Sequence, residues 1–156
     1  MTGSATIPAL EFIFAANVTV DPALDLGDVG KGGRRIAPIT GGDFSGPRMR
    51  GQVLPGGADW QVLRSDGTAE LEARYTLRTD DGVLIYVRNH GLRHGPPDVI
   101  AALAAGQAAD PARYYFRGAT FFETSDARYG WLTRHIVVCV GEREPAAVKL
   151  RFFKML

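Results

Sequence analysis

Two carboxylic acids lie among aromatic residues and are the best candidates for acid–base chemistry. Asp59 precedes Trp60, and Glu123 follows two consecutive phenylalanines. Burial in an apolar setting raises the pKa of a carboxyl group, which suits a general acid or base near neutral pH. The alternative is that either carboxylate pairs with an arginine across the fold, because structural ion pairs also perturb pKa values.

Hydrogen-bond donors for a developing negative oxygen are the second requirement of such chemistry. Arg117 follows a Tyr-Tyr-Phe run, Tyr75 lies in an alternating apolar segment, and Arg35 ends a glycine-rich stretch that begins at Gly30. That stretch lacks the spacing of a phosphate-binding loop and leads into a strand pattern rather than a helix, which disfavours nucleotide binding. It is better suited to deliver Arg34 or Arg35 to a carboxylate or an enolate oxygen.

Aromatic and amide side chains near these groups are predicted to bind the substrate and exclude water. The candidates are Trp60, Asn89, His90, Tyr115, Tyr129 and Trp131. His90 could also serve as a general base, since a histidine titrates near neutrality, although a loop histidine at the rim is the plainer interpretation. His90 and His94 are four apart in a glycine- and proline-rich segment, and no zinc motif surrounds them, so no metal is expected.

Other reaction types find little support. The single cysteine, Cys139, lies in an apolar strand pattern and is expected to be a small buried hydrophobic residue. No Gly-x-Ser-x-Gly elbow occurs, which disfavours serine hydrolase chemistry. We therefore expect neither a cofactor nor a metal.

Composition narrows the class of protein further. The chain has 156 residues, the usual size of one domain, so residues 1–156 are predicted to form a single unit. Its net charge of +1 provides no broad field for nucleic acid or an anionic membrane. Residues 1–6 show no signal-peptide pattern, and no apolar run is long enough for a membrane span. A cytoplasmic protein is expected.

The elements that must position these residues are mostly strands. Apolar and polar residues alternate with a period of two, most clearly in residues 10–20 and 69–77. Asp-Gly pairs at 66–67 and 81–82 predict tight turns that join three consecutive strands. Strands are predicted at residues 10–20, 34–40, 48–54, 60–64, 69–77, 83–89, 113–117, 119–124, 131–141 and 147–155.

Only one segment has the pattern of a helix. Pro96, Pro97 and Asp98 precede an Ala-rich run at residues 99–105, and Gly106 ends it. Nineteen glycines, many in pairs at strand ends, suit the turns and bends that close a barrel. The fold class is therefore all-β, a single closed antiparallel β-barrel of about 8–10 strands with one short helix. A two-sheet sandwich is the alternative.

Several signature segments occur in a specific order along the chain. They are P-I-T-G-G (38–42), G-P-R-M-R-G (46–51), L-P-G-G-A-D-W-Q (54–61), D-D-G-V-L-I-Y-V-R-N (80–89), Y-Y-F-R (114–117), F-E-T (122–124) and Y-G-W-L (129–132). This order resembles the bacterial and fungal family catalogued as domain of unknown function number 3237, over essentially the whole chain. The resemblance implies a barrel similar to lipocalins or allene oxide cyclases, with a central cavity. Fungal members resemble cofactor-free ring-closing enzymes of natural-product pathways.

Two functions are therefore expected, of different kinds. The first is a cofactor-independent cyclase, isomerase or lyase that acts on a small, largely apolar, conjugated carbonyl compound. Asp59 or Glu123 would move a proton, while Arg35 or Arg117, together with Tyr75, would stabilise the enolate oxygen. The second is a lipocalin-like carrier in which the same groups only orient a hydrophobic ligand. A third alternative is a subunit whose partner completes the site, and a homodimer or homotetramer is possible because small barrels often associate through exposed sheet faces.

Overall fold

The computed structural model describes residues 6–156, which form ten β-strands, one α-helix and two 3-10 helices. Residues 1–5, part of the segment without a signal-peptide pattern, lie outside the described residues. The strands are β1 (Leu10–Val20), β2 (Leu24–Asp28), β3 (Gly33–Ser45), β4 (Arg50–Val53), β5 (Ala58–Leu63), β6 (Ala69–Thr79), β7 (Leu84–His94), β8 (Tyr115–Glu123), β9 (Val137–Arg143) and β10 (Ala147–Met155). The helices are α1 (Pro97–Ala104), a 3-10 turn (Pro111–Arg113) and a 3-10 helix (Ala127–Arg134).

The sheet closes on itself because β1 pairs with strands from both ends of the chain. One of its neighbours is β10 and the other is β3, both antiparallel. From β10 the order runs through β9, β8, β7 and β6. The barrel prediction is confirmed, and closure through β1 excludes the two-sheet sandwich.

Nine of the ten strands form the barrel wall, in which they occupy eight positions, and the tenth lies outside it. β4 and β5 occupy one position between β3 and β6, since both strands pair with both neighbours. The short segment between them, residues 54–57, interrupts the ladder. β2 lies outside this circle and pairs only with the first part of β3. It is the one strand that the sequence pattern did not predict.

Most strand boundaries follow the sequence pattern, and the differences have local causes. β1 and β10 have the predicted bounds, and the Asp-Gly turns join β5 to β6 and β6 to β7. The predicted strands 113–117 and 119–124 are one strand, because Gly118 continues the ladder with β9. The predicted strand 131–141 begins instead as the 3-10 helix, whose start is capped by the Asp126 side chain accepting from the Arg128 amide.

The helix prediction is confirmed, and α1 lies at one end of the barrel. Pro96 and Pro97 begin it, because proline fits the first turn, where amide hydrogens have no partner inside the helix. Val99 and Leu103 are its buried residues. The opposite end is filled by the 3-10 helix through Tyr129 and Leu132. No helix among residues 6–156 has the length and apolar character to cross a membrane.

Candidate active site in the barrel cavity

The half of the barrel next to α1 holds a cavity of about 360 Å³. Its apolar wall comes from several strands and from α1, and includes Val18, Ile39, Leu71, Leu103, Phe116 and Leu150. Pro22 and Pro145 border it from the loops at the α1 end. This size and lining are typical of a site for a small organic molecule.

Seven polar side chains also line the cavity. They are Arg35, Asp59, Gln61, Tyr75, Asn89, Arg93 and Arg143. Each belongs to the inward-facing set of its strand, because alternate residues of a strand point to opposite faces. Three of their atoms are fully enclosed and have no hydrogen-bond partner among the described residues: Arg35 Nε, Asp59 Oδ1 and Tyr75 Oη. A buried polar group without a partner is costly, so three of them around one cavity indicate groups that a ligand would satisfy.

Among residues 6–156, Asp59 is the only acidic residue that lines this cavity. Its Oδ2 accepts a hydrogen bond of 2.9 Å from Gln61 Nε2, and its Oδ1 is enclosed without a partner. Burial raises the pKa of this carboxyl group, although the Gln61 hydrogen bond and the positive charge of Arg93 oppose the shift. A carboxyl group with a raised pKa is a stronger base when ionised and a proton donor at higher pH, so Asp59 can both take and return a proton.

Tyr75 and Arg35 provide donors near this carboxyl group. The Tyr75 side chain is only 3% exposed, and burial raises its pKa well above the usual value, so the phenol stays neutral. Ala73, two residues before Tyr75 on β6, pairs with Asp59. Arg35 pairs through its backbone with Gln61 on β5. Both residues can therefore direct a hydrogen bond toward a ligand that Asp59 also reaches.

Asn89 is held in place by its neighbours on β8. Its Oδ1 accepts a 2.8 Å hydrogen bond from Thr120 Oγ1, which is itself fully buried. Gly118 gives the amide its room, because a Cβ at that position would lie 2.5 Å from Asn89 Oδ1. With its oxygen engaged, Asn89 can offer its amide nitrogen to the cavity as a donor.

Five candidates from the sequence do not line the cavity, so their predicted placement is wrong. Glu123 and Arg117 are exposed on the outer face of β8, whose inward residues are Phe116, Gly118, Thr120 and Phe122. Tyr115 is also on the outer face, where its ring lies against His94 and Arg117. His90 lies on the outer face of β7, which continues to His94 where a loop was predicted. Trp60 faces outward because β5 pairs regularly with both neighbours, so adjacent Asp59 cannot share its direction.

Tyr129 and Trp131 lie at the end of the barrel opposite α1, and their predicted role in the cavity wall is wrong as well. The Tyr129 hydroxyl donates to Asp81 at 3.1 Å. The Trp131 ring packs under the guanidinium of Arg48 and the ammonium of Lys154. Both belong to the 3-10 helix, which the sequence pattern presented as the start of a strand.

Three of the seven polar cavity residues were not predicted from the sequence: Gln61, Arg93 and Arg143. A usable signal existed for the first two, since Gln61 points to the same face of β5 as Asp59, and Arg93 points to the same face of β7 as Asn89. Arg143 ends β9, whose inward residues Cys139 and Gly141 have the same parity. Arg35, Asp59, Tyr75 and Asn89 lie at the cavity, and their catalytic and binding roles stay predictions.

The model of the protein family described as Protein of unknown function (DUF3237) matches residues 8–155. A UPF0311 protein from Clostridium acetobutylicum is 44% identical over 146 residues, covering 93% of this chain and 92% of that protein. The crystal structure of a conserved protein of unknown function from Rhodopseudomonas palustris has a TM-score of 0.93 at 36% identity, covering 97% of this chain and all of that one (100%).

A more distant relative carries the name of an enzyme. The hydroalkoxylation enzyme phnH of Penicillium herquei is 32% identical over 127 residues, covering 81% of this chain and 70% of that protein. The crystal structure of an enzyme from Penicillium herquei has a TM-score of 0.75 at 26% identity, with 100% of both chains covered.

Proposed function

We propose that this chain, which belongs to the family described as Protein of unknown function (DUF3237), is a cofactor-independent enzyme. Its reaction takes place in the barrel cavity. The reaction is the addition of an O–H group across a carbon–carbon double bond conjugated to a carbonyl group, or the reverse elimination. The name of the Penicillium herquei relative supports this class, because hydroalkoxylation is the addition of an alcohol to a double bond.

The observation that carries the proposal is the group of three enclosed atoms without partners, Arg35 Nε, Asp59 Oδ1 and Tyr75 Oη. They combine a proton carrier with two donors for an oxyanion, the set that such an addition requires. A pure hydrophobic carrier would gain stability from apolar residues at these three positions, since each unsatisfied polar atom is costly. Their retention in one cavity is better explained by chemistry.

In the proposed step, the Asp59 carboxylate takes the proton of the substrate hydroxyl while the hydroxyl oxygen forms a bond to the β-carbon of the conjugated system. The electron pair of the double bond moves to the carbonyl oxygen, and Arg35 and Tyr75 donate hydrogen bonds to the resulting enolate. Asp59 then returns its proton to the α-carbon. One O–H bond and one π bond are replaced by one C–O bond and one C–H bond, so no oxidant or reductant is consumed.

Deuterium incorporation tests this proposal without knowledge of the substrate. Purified protein is incubated in D₂O with the small-molecule extract of its source organism, and products are followed by mass spectrometry. We expect a compound to be converted into an isomer that carries one non-exchangeable deuterium. The rate should fall by about 10²–10⁴ in Asp59→Asn, the usual contribution of a general acid or base.

The matched control is Glu72→Gln, which changes a carboxylate on the outward face of β6 that is paired with Arg74. It should convert the compound at the wild-type rate. Circular dichroism and thermal unfolding establish that both variants are folded. If wild-type protein retains a compound unchanged and Asp59→Asn alters only its affinity, the carrier function is correct and the enzyme proposal is wrong.

A further inference from the structure

We infer that the substrate is an organic anion, whose negative oxygen group is held by Arg93 and Arg143 while its apolar part extends toward Asp59. This rests on the proposed function only for the statement that the ligand is a substrate. The binding of an anion is argued from the charges of the cavity alone. Carboxylate and phenolate groups share the required chemistry, a planar or delocalised oxyanion.

The cavity wall carries an excess of positive charge. Arg35, Arg93 and Arg143 line it, and Asp59 is the only acidic lining residue in the part of the chain that the structure describes. The whole chain is nearly neutral, with a net charge of +1, so this excess is local. Arginine is the residue best suited to bind an oxyanion, because its planar guanidinium presents several donors to one group.

None of these three arginines has a carboxylate partner within the part of the chain that the structure describes. The ion pairs of residues 6–156 involve other arginines and lysines. Arg93 is nevertheless only 8% exposed. Buried charges in proteins are usually paired, so an unpaired set around a cavity points to a partner that arrives with the ligand.

Two of the guanidinium groups are held by contacts to groups that carry no net charge. Arg143 Nη1 donates to the main-chain carbonyls of Glu144 and, at 3.1 Å, of Ala147. The Arg93 guanidinium lies over the Phe116 ring, 5.6 Å from its centre. These contacts position the groups but give neither of them a carboxylate within ion-pair distance, although the charge of Asp59 acts on both. Burial lowers the pKa of both arginines and the neighbouring positive charges add to this effect, while the negative charge of Asp59 opposes it.

The two arginines also lie at a different depth from the acid–base group. Arg143 is the last residue of β9, and Arg93 is the last inward-facing residue of β7, next to the end where α1 begins. Arg93 pairs with Ala69 on β6, whereas Asp59 pairs with Ala73. Ala69 and Ala73 are four residues apart on β6, which corresponds to about 13 Å of backbone. The anionic group of the substrate would therefore bind near the opening and direct the reacting part inward, to Asp59 and Tyr75.

A pair of fluorescent probes tests the inference directly. Anilinonaphthalene sulfonate and N-phenylnaphthylamine have the same ring system, with and without a negative sulfonate, and both fluoresce in apolar cavities. We expect the wild-type protein to bind the sulfonate at least about tenfold more tightly than the neutral dye, since hydrogen bonds to charged groups contribute that much. The preference should be lost in the double variant Arg93→Gln and Arg143→Gln.

Two further variants control for charge and fold. Arg88→Gln removes an exposed arginine from the outer face of the same strand, β7, and should leave the preference unchanged. Arg93→Lys keeps the charge and should retain most of it. Equal or tighter binding of the neutral dye, or binding of neither dye, would overturn the inference. So would a sulfonate preference that persists in the double variant.

The outcome for Asp59→Asn separates this inference from the proposed function. Removal of the one negative charge that faces the arginines should keep or increase the sulfonate preference, whatever happens to turnover. Deuterium incorporation that depends on Asp59, without a sulfonate preference in the wild type, would contradict the inference of an anionic substrate and leave the proposed function intact. A sulfonate preference without Asp59-dependent deuterium incorporation would contradict the proposed enzymatic function and leave the inference of anion binding intact.

Discussion

The two halves of the barrel interior are built from the same strands but differ in how they are filled. The half opposite α1 is packed with aromatic rings, in which Phe14 and Phe152 stack at 4.3 Å and Phe44 and Phe122 meet Phe14 edge to face. Leu132 of the 3-10 helix closes this end and is 1% exposed. In the α1 half, inward positions carry smaller or polar residues such as Ala37, Asp59 and Ala73, and a cavity results.

Polar groups in the two halves differ in the same way. In the closed half, Thr79 Oγ1 accepts from the Val83 amide at 2.8 Å and donates to Asp81, which also receives the Tyr129 hydroxyl. In the α1 half, the enclosed atoms of Arg35, Asp59 and Tyr75 have no such partners. A satisfied network supports stability, whereas unsatisfied groups reduce it and serve a ligand. The closed half is therefore expected to hold the fold together and the α1 half to do the chemistry.

The largest effect on stability is expected in the closed half. Phe152→Ala removes a fully buried ring from the aromatic cluster and should lower the free energy of unfolding by about 3–5 kcal/mol. Urea denaturation followed by tryptophan fluorescence measures this loss. A loss below about 1 kcal/mol would contradict the division, because it would mean that this half tolerates a void as the other half does.

A pH-dependent effect is expected in the α1 half. Burial raises the pKa of Asp59 above the ordinary value of 3.8, so the folded protein holds this proton more tightly than the unfolded chain. Stability from this group is present below the unfolded pKa and is lost as the pH rises through the folded pKa. Asp59→Asn avoids that loss, so it should become more stable than wild type as pH rises, by about 1.4 kcal/mol per unit of pKa shift.

Urea midpoints measured at several pH values give the difference between the two proteins. Glu72→Gln is a control of opposite sign, because the Arg74 hydrogen bond lowers the pKa of Glu72. Its wild-type carboxylate contributes stability above the unfolded pKa, which is lost as the pH falls through the folded pKa. A difference for Asp59→Asn that does not change with pH would contradict the assignment of a raised pKa.

A smaller effect is expected from a matched pair of tyrosines. Tyr129→Phe removes a hydroxyl that donates to Asp81 and should cost about 1 kcal/mol. Tyr75→Phe removes an enclosed hydroxyl without a partner and should raise the free energy of unfolding by about 1 kcal/mol, because the cost of the unsatisfied group is removed. Thermal unfolding of both variants tests the pair. Equal losses would show that the Tyr75 hydroxyl is already satisfied in the free protein.

The smallest expected effect concerns the boundary between the halves. Cys139 is 1% exposed, and burial raises the pKa of its thiol to about 12. A thiol reagent at neutral pH should therefore leave the folded protein unlabelled and react fully in urea. Rapid labelling without urea would mean that the cavity extends to Cys139 on β9.

The strands could be predicted because their local pattern agrees with their final environment. In β1 and β10 the alternation continues through the whole element, and the predicted bounds match. β2 was missed because its sequence, LDLGD, is short and all its residues are exposed. The segment before β9 was predicted wrongly because Trp131, Thr133 and His135 alternate like a strand, while the Asp126 cap starts a helical turn there.

Less of the candidate site could be predicted, and β8 illustrates why. Phe116 and Phe122 point inward, but Tyr115 and Phe121 on the other face are also aromatic. Both faces therefore look equally suited to a cavity wall, and Arg117 and Glu123 were assigned to the wrong one. In β5, the adjacent residues Asp59 and Trp60 were both assigned to the cavity, but they point to opposite faces of the strand and Asp59 is the one that lines it.

The amino-acid sequence is sufficient for the antiparallel strands, their tight Asp-Gly turns, the short helix and the grouping of residues into two faces per strand. These features depend on neighbours along the chain, through side-chain alternation and the backbone preferences of glycine and proline. Which face is enclosed depends on closure between β1, β3 and β10, whose pairs are far apart in sequence. Closure directs Asp59, Tyr75 and Arg93 inward together, because inward and outward are defined only once the barrel exists.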